Sequence, residues 1–239
     1  MARVIVSLLR VCAVLAFAAG FCTTPALAED WPDIEVPPRS RVEWVGRDMK
    51  LNGMPMQVRK FESPLGISEI LAFYRAHWGT QQEKKSVESR SGDWTIIGRA
   101  HGPYYLTVQM KTKANVGTEG LISVSMLNSR IKPEFPLGGF PVPGGTKVLS
   151  VLDSNDPGKT SKQIKLANDD SVISNAHYFE TALGSSGWTR KTMSERGQHP
   201  DQASYDVFQK DNQELHLVIV REPGRTGTLI VANTVAYTN

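Results

Sequence analysis

The chain of 239 residues is 40% hydrophobic and 21% charged, with 27 Lys and Arg against 24 Asp and Glu. So slight an excess of positive charge offers no pull towards nucleic acid or an anionic lipid surface. Both cysteines, Cys12 and Cys22, precede residue 29, which excludes a disulfide framework, a thiol nucleophile and a thiolate metal site from everything downstream.

The first predicted element is a signal peptide, residues 1–28. Arg3 and Arg10 flank a short apolar start, and Val11 to Phe21 is apolar apart from Gly20. Ala26-Leu27-Ala28 then places small residues at −3 and −1, which predicts cleavage after Ala28. The apolar run falls short of the about 20 residues of a spanning helix, so no stable membrane insertion is expected after cleavage. Phe21 before Cys22 argues against a lipoprotein. The pattern is that of a bacterial export signal, with the periplasm or the exterior as destination. Cleavage leaves a cysteine-free chain with 25 basic and 24 acidic residues, since Arg3 and Arg10 depart with the signal.

Residues 29–41 read as an extended, proline-rich lead-in. Val42 to Val45 is a short strand, Asn52-Gly53 a hairpin turn, and Met56 to Phe61 the second strand. A helix is predicted from Ser63 to Gly79. Ile67, Ile70, Leu71, Tyr74 and Trp78 share one face, Ser63 serves as N-cap, Pro64 opens the first turn, and Gly79 supplies a left-handed stop. Polar residues Gln81 to Gly92 form a loop. Trp94 to Arg99 is the third strand, with Trp94 and Ile96 inward. Tyr104 to Lys111 alternates with Leu106, Val108 and Met110 inward, and Leu121 to Leu127 with Ile122, Val124 and Met126 inward.

Residues 133–145 form a Pro/Gly-rich linker. Beyond it the same order returns: Asn168 to Gly184 aligns with Ser63 to Gly79 at an offset of 105 without a gap, with Val172, Asn175, Ala176, Phe179 and Leu183 on the helix face. Asn168 and Gly184 take the capping places of Ser63 and Gly79. Tyr205 and Val207 match Trp94 and Ile96, Leu215, Leu217 and Ile219 match the fourth strand, and Leu229 and Val231 match Ile122 and Val124. The expected fold class is α+β, as two tandem ββαβββ modules at 29–132 and 146–239. Each is read as a mostly antiparallel sheet with one helix packed on one face.

No catalytic motif emerges. Gly158-Lys159-Thr160 has the end of a phosphate loop, but Asp153 stands where its first glycine belongs, and it joins two strands. His77, His101, His177, His199 and His216 show no ligand spacing, so no metal or cofactor is expected. Gly184-Ser185-Ser186-Gly187 follows a helix and is a cap, not a nucleophile elbow. Glu43, Asp48, Glu62, Asp93 and Glu180 have no spacing that marks a catalytic carboxylate pair.

Two features remain for binding. Trp31 and Trp44 are the tryptophans expected to be exposed and able to stack on a ligand, whereas Trp78 and Trp94 fall on inward positions and Trp188 folds over the helix end. His216, Val218 and Val220 replace Thr107, Gln109 and Lys111, leaving that strand apolar on both faces. This face is expected to pack on the first module or on a partner protein. The functional expectation is an exported non-catalytic protein that binds or stabilises a cell-envelope protein or assembly. The alternative is a glycan- or small-ligand-binding protein using a cleft between the modules.

Overall fold

The computed structural model of the protein describes residues 31–79, 86–114, 116–126, 134–192, 201–221 and 227–238. The predicted signal peptide, the Leu127 end of its strand, and His199 lie outside them. All described residues except Trp31 belong to one compact unit, Pro32–Asn239. Among the described residues the elements are β1 (Arg41–Leu51), β2 (Met54–Ser63), α1 (Ile67–Trp78), β3 (Val87–Ser91), β4 (Trp94–His101), β5 (Tyr104–Thr112) and β6 (Thr118–Met126). They continue as β7 (Lys147–Asp156), β8 (Lys159–Asn168), α2 (Val172–Ser185), β9 (Thr189–Thr192), β10 (Ala203–Lys210), β11 (Gln213–Arg221) and β12 (Thr228–Tyr237).

These strands form one antiparallel sheet in the order β3-β4-β5-β6-β2-β1-β7-β8-β12-β11-β10-β9. The expected α+β fold of two tandem ββαβββ modules, each a sheet of its own with one helix on one face, is therefore corrected to one large, mostly antiparallel sheet that carries two helices among the described residues. The order reads the same from either edge, and the halves meet where β1 pairs with β7. That ladder joins Met49 to Ser154, Lys50 to Asp153 and Leu51 to Leu152. Met49 and Ser154 stand directly opposite each other at the same 105-residue offset as the two helical stretches. The pairing is thus that of an isologous interface drawn within one chain. Its physical reason is the edge: separate modules would leave β1 and β7 with rows of unpaired N–H and C=O groups. The outer edges are managed otherwise. β3 and β9 are only 5 and 4 residues long, and the side chains of β3, Val-Glu-Ser-Arg-Ser, are all exposed. Neither strand was expected; β3 falls in the predicted polar loop.

Both helices cover the same face of the sheet. Lys50 pairs with Pro55 on one side and Asp153 on the other, and Asp153 pairs with Lys162. Alternation then places Phe61 with Pro55, and Ile164 and Leu166 with Lys162. Under α1 lie Phe61, Ile97, Leu106, Val108, Met110, Ile122 and Val124. Under α2 lie Ile164, Leu166, Phe208, Leu215, Leu217, Ile219 and Ile230. On the helices Ile70, Tyr74 and Trp78 are buried, as are Val172, Asn175, Phe179 and Leu183. Leu71, expected to be as deep as Leu183, is only half-buried.

Three local expectations shift by one position or one turn. β4 turns Thr95 and Ile97 inward rather than Trp94 and Ile96, and β10 turns in Ser204, Asp206 and Phe208. In β12 Ile230 and Ala232 are inward, with Leu229 and Val231 on the opposite face. A one-residue slip exchanges the faces of a whole strand, and these strands carry apolar residues on both. Ser63 and Asn168 end their strands instead of capping helices. Each bonds the backbone two residues on, Leu65 N at 3.3 Å and Asp170 N at 3.2 Å. Glu69 reaches back to Gly66 N at 2.8 Å to close α1, and Ser171 caps α2 by accepting from Ser174 N. Asn175 is tolerated at a core position because it exchanges hydrogen bonds with Asn168, at 2.8 and 2.9 Å.

The edge strand β3 is tied to α1 by a bidentate pair, Arg75 to Glu88, at 2.7 Å for both bonds. Arg75 holds the Glu88 carboxyl below the usual glutamate range, and Lys113 and then Lys60 do the same for Glu62. A carboxylate whose pKa is lowered on folding stabilises the fold above its unfolded value, about 4.3, and that contribution is lost as pH falls through the lowered value. Denaturant midpoints are therefore expected to decline on acidification below about pH 4.5. Glu88→Gln with Glu62→Gln should flatten that decline, and an unchanged slope would show that these pairs contribute nothing.

Candidate functional site

The helix-bearing face is not fully covered. At the seam between the halves a cleft of about 640 Å³ opens among the last residues of β1, the β7–β8 hairpin, the linker and the end of α2. This is within the roughly 300–1,000 Å³ of small-molecule sites. One wall is the sheet. Lys50, Asp153 and Lys162 stand in one row across three adjacent strands, and Asp48 and Asn155 extend from the same two central strands. Asp153 is ion-paired with Lys162, whose Nζ also donates to Pro136 O at 2.7 Å. Asn155 Nδ2 donates to an Asp48 carboxylate oxygen at 3.0 Å. Thr160, Gln213, Thr234 and Ala236 continue this wall.

The other wall is apolar and comes from two pieces of local chain logic. The linker segment Pro136–Pro141 turns tightly, with Phe140 N donating to Leu137 O at 3.1 Å. Gly138 and Gly139 occupy the turn at φ of 62° and 81°, a pair of left-handed conformations that side chains resist. Leu137 and Phe140 are thereby turned onto the α2 core, Phe140 lying 5.5 Å from the Phe179 ring centre. At the end of α2 the left-handed residue is Gly187, at φ 85°, not Gly184, which stays helical. Trp188 N returns to Leu183 O at 3.0 Å, so Trp188 folds over the helix end and borders the cleft beside Leu183. At Gly79 the chain is right-handed, so that expected stop is corrected too.

The residues singled out for binding lie elsewhere. Trp44 is on the helix-bearing face, 43% exposed, with Arg47 over its ring at 4.4 Å and Arg59 at 5.6 Å. Trp31 is half-buried, and neither tryptophan lines the cleft. His216, Val218 and Val220 are half-buried on the face opposite the helices. The halves lie side by side in one sheet, so the first does not pack over this face of the second. His216 is held between Tyr205, at 2.7 Å, and Glu214, at 2.5 Å. With their partners Val231 and Leu229 the valines make an apolar area two residue rows deep on two strands, β11 and β12. Strand and row spacings give that area about 130 Å², well short of the about 800 Å² per partner of a stable interface.

A smaller groove of about 170 Å³ beside α2 is lined by His177, Glu180, Arg190 and Ser204. Its arginine is already held by buried Asp206 and by Glu180. Gly158 is in the β7–β8 turn at φ 81°, so Gly158-Lys159-Thr160 is a hairpin and not a phosphate loop. Among the described residues no three His, Cys, Asp or Glu side chains cluster as metal ligands.

The cleft residues could have been flagged only in part. Leu137 and Phe140 are apolar residues within a linker, a hint that it packs. Nothing in the order of residues brings Asp48 to Asn155, because their meeting depends on the seam between β1 and β7. Compared with known proteins, the chain matches no family model, no curated protein and no solved structure.

Proposed function

We propose that this protein is an exported, non-catalytic binding protein whose ligand occupies the cleft at the seam of the sheet. The observation that carries this reading is the cleft itself: drug-sized, built by the second half and the linker with Asp48 and Lys50 reaching in across the seam, apolar on one wall and hydrogen-bonding on the other. Binding in a cleft between halves was the alternative expectation, but through Trp31 or Trp44; Phe140 and Trp188 now take that place. The test is native mass spectrometry of the full exported chain beside Thr160→Trp, which fills the cleft from its rim. A small-molecule adduct on the parent that is absent from the variant supports the reading. No adduct on the parent, together with no saturable binding in a small-ligand screen, overturns it.

A protein partner held by a small, transient contact is the second reading, and it rests on the valine rows around His216, Val218 and Val220. Val218→Lys with Val220→Lys is expected to leave the fold intact, since no helix among the described residues covers that face. Crosslinking in the native envelope before and after the double substitution tests it: a captured partner lost from the variant supports this reading, and unchanged capture removes it. Export rests on the residues 1–28 pattern, and the exported protein is expected to begin at Glu29 by N-terminal analysis. Retention of residues 1–28 would move the protein to the membrane.

A further inference from the structure

We propose that the ligand of the cleft is a neutral oligosaccharide. This rests on the cleft being the binding site and is argued from the chemistry of its two walls. The sheet wall carries two carboxylates and two ammonium groups, Asp48, Asp153, Lys50 and Lys162, so its charge balances to zero. A polyanion or polycation would find as much repulsion as attraction there. A fatty chain would strip water from these groups and return no hydrogen bonds, which is costly for every polar group buried. The facing wall, with Leu137, Leu183 and Trp188, is mainly apolar; its polar side-chain groups are the indole N–H and the Ser186 hydroxyl, which already donates to Ala182 O at 2.9 Å, so a wholly polar ligand would leave most of it unused. A sugar ring suits both walls. Its hydroxyls donate and accept, matching carboxylate, amide and ammonium groups, while its C–H face is apolar and fits the flat Trp188 ring.

The position of the groups gives the orientation. Asp153 is already neutralised by Lys162, and Asp48 is held by Asn155. Lys50 is exposed and has no ion pair among the described residues, which leaves its three donors for ligand hydroxyls.

The experiment is calorimetric titration of the full exported chain with chitotriose, cellotriose and maltotriose, and separately with N-phenyl-1-naphthylamine as an apolar probe. Saturable binding of at least one trisaccharide is expected, weakened about tenfold by Lys50→Met, the loss of one charged hydrogen bond. Thr160→Val should weaken it as well, and both variants alter exposed residues outside the core. Trisaccharide binding unchanged in both variants puts the sugar elsewhere and overturns the proposal. If the naphthylamine binds, Thr160→Trp blocks it and no trisaccharide binds, the carbohydrate assignment fails while the cleft stands. If neither probe binds, the cleft reading falls with it.

Discussion

Gly120→Ala is expected to cost about 3 kcal/mol or more, the upper end of what overpacking does to a core. Gly120 sits in β6 directly between Phe61 of β2 and Met110 of β5. A Cβ added there would lie 2.2 Å from Gln109 O and 2.5 Å from the Phe61 ring. The oxygen is fixed by the ladder between two central strands, and Phe61 is fully buried beneath α1, so neither can yield cheaply. Gly184→Ala is the matched control. Gly184 is helical, exposed and has nothing within 4 Å of the new methyl, so the substitution should stabilise by about 0.5–1 kcal/mol. Denaturant melts of the two variants should therefore move in opposite directions. A neutral Gly120→Ala would show that β2, β6 and β5 do not lie in the described register.

Asn52→Ala is expected to weaken the joint between the halves by about 2–4 kcal/mol. Asn52 follows β1 at φ 51° and makes three hydrogen bonds to two other segments. Its N–H donates to Val151 O at 2.7 Å, its Oδ1 accepts from Val151 N at 2.8 Å, and its carbonyl accepts from Glu134 N at 3.0 Å. Alanine removes the acceptor for Val151 N, beside a fully buried side chain, and also resists the left-handed backbone. Asn52→Gly separates the two causes: it relieves the backbone but still loses the side-chain acceptor, so it should recover about half of the loss. The seam ladder is only three residue pairs long, so the melt of Asn52→Ala should also broaden or split as the halves uncouple. A single sharp transition at the parent midpoint would mean that the seam is held by something other than Asn52.

Much of the local structure was legible because it depends on short-range rules. The 3.6-residue spacing located both helices, and their buried stripes at Ile70, Tyr74 and Trp78 and at Val172, Phe179 and Leu183 follow from it. Alternation placed Leu106, Val108 and Met110 inward, and Leu215, Leu217 and Ile219 likewise. The Asn52-Gly53 turn and the lack of a helix or strand in the Pro/Gly segment came from the conformational limits of those residues. Faces failed where both sides of a strand are apolar, as at Trp94 to Ile97 and Leu229 to Ala232, because period two carries no sign when both faces qualify.

By itself, then, the amino-acid sequence determined the helices, most strands and the absence of cysteine chemistry after residue 28. The tertiary structure alone decided that the two halves share one sheet, that both helices take the same face, and that a cleft opens at the seam. The physical reason is range. Helix faces, turns and caps are settled by neighbours within a few residues. The union of β1 with β7 instead satisfies backbone groups that every strand possesses whatever its side chains, so no residue type announces it. Asp48 and Asn155, 107 residues apart, meet only once that union has formed.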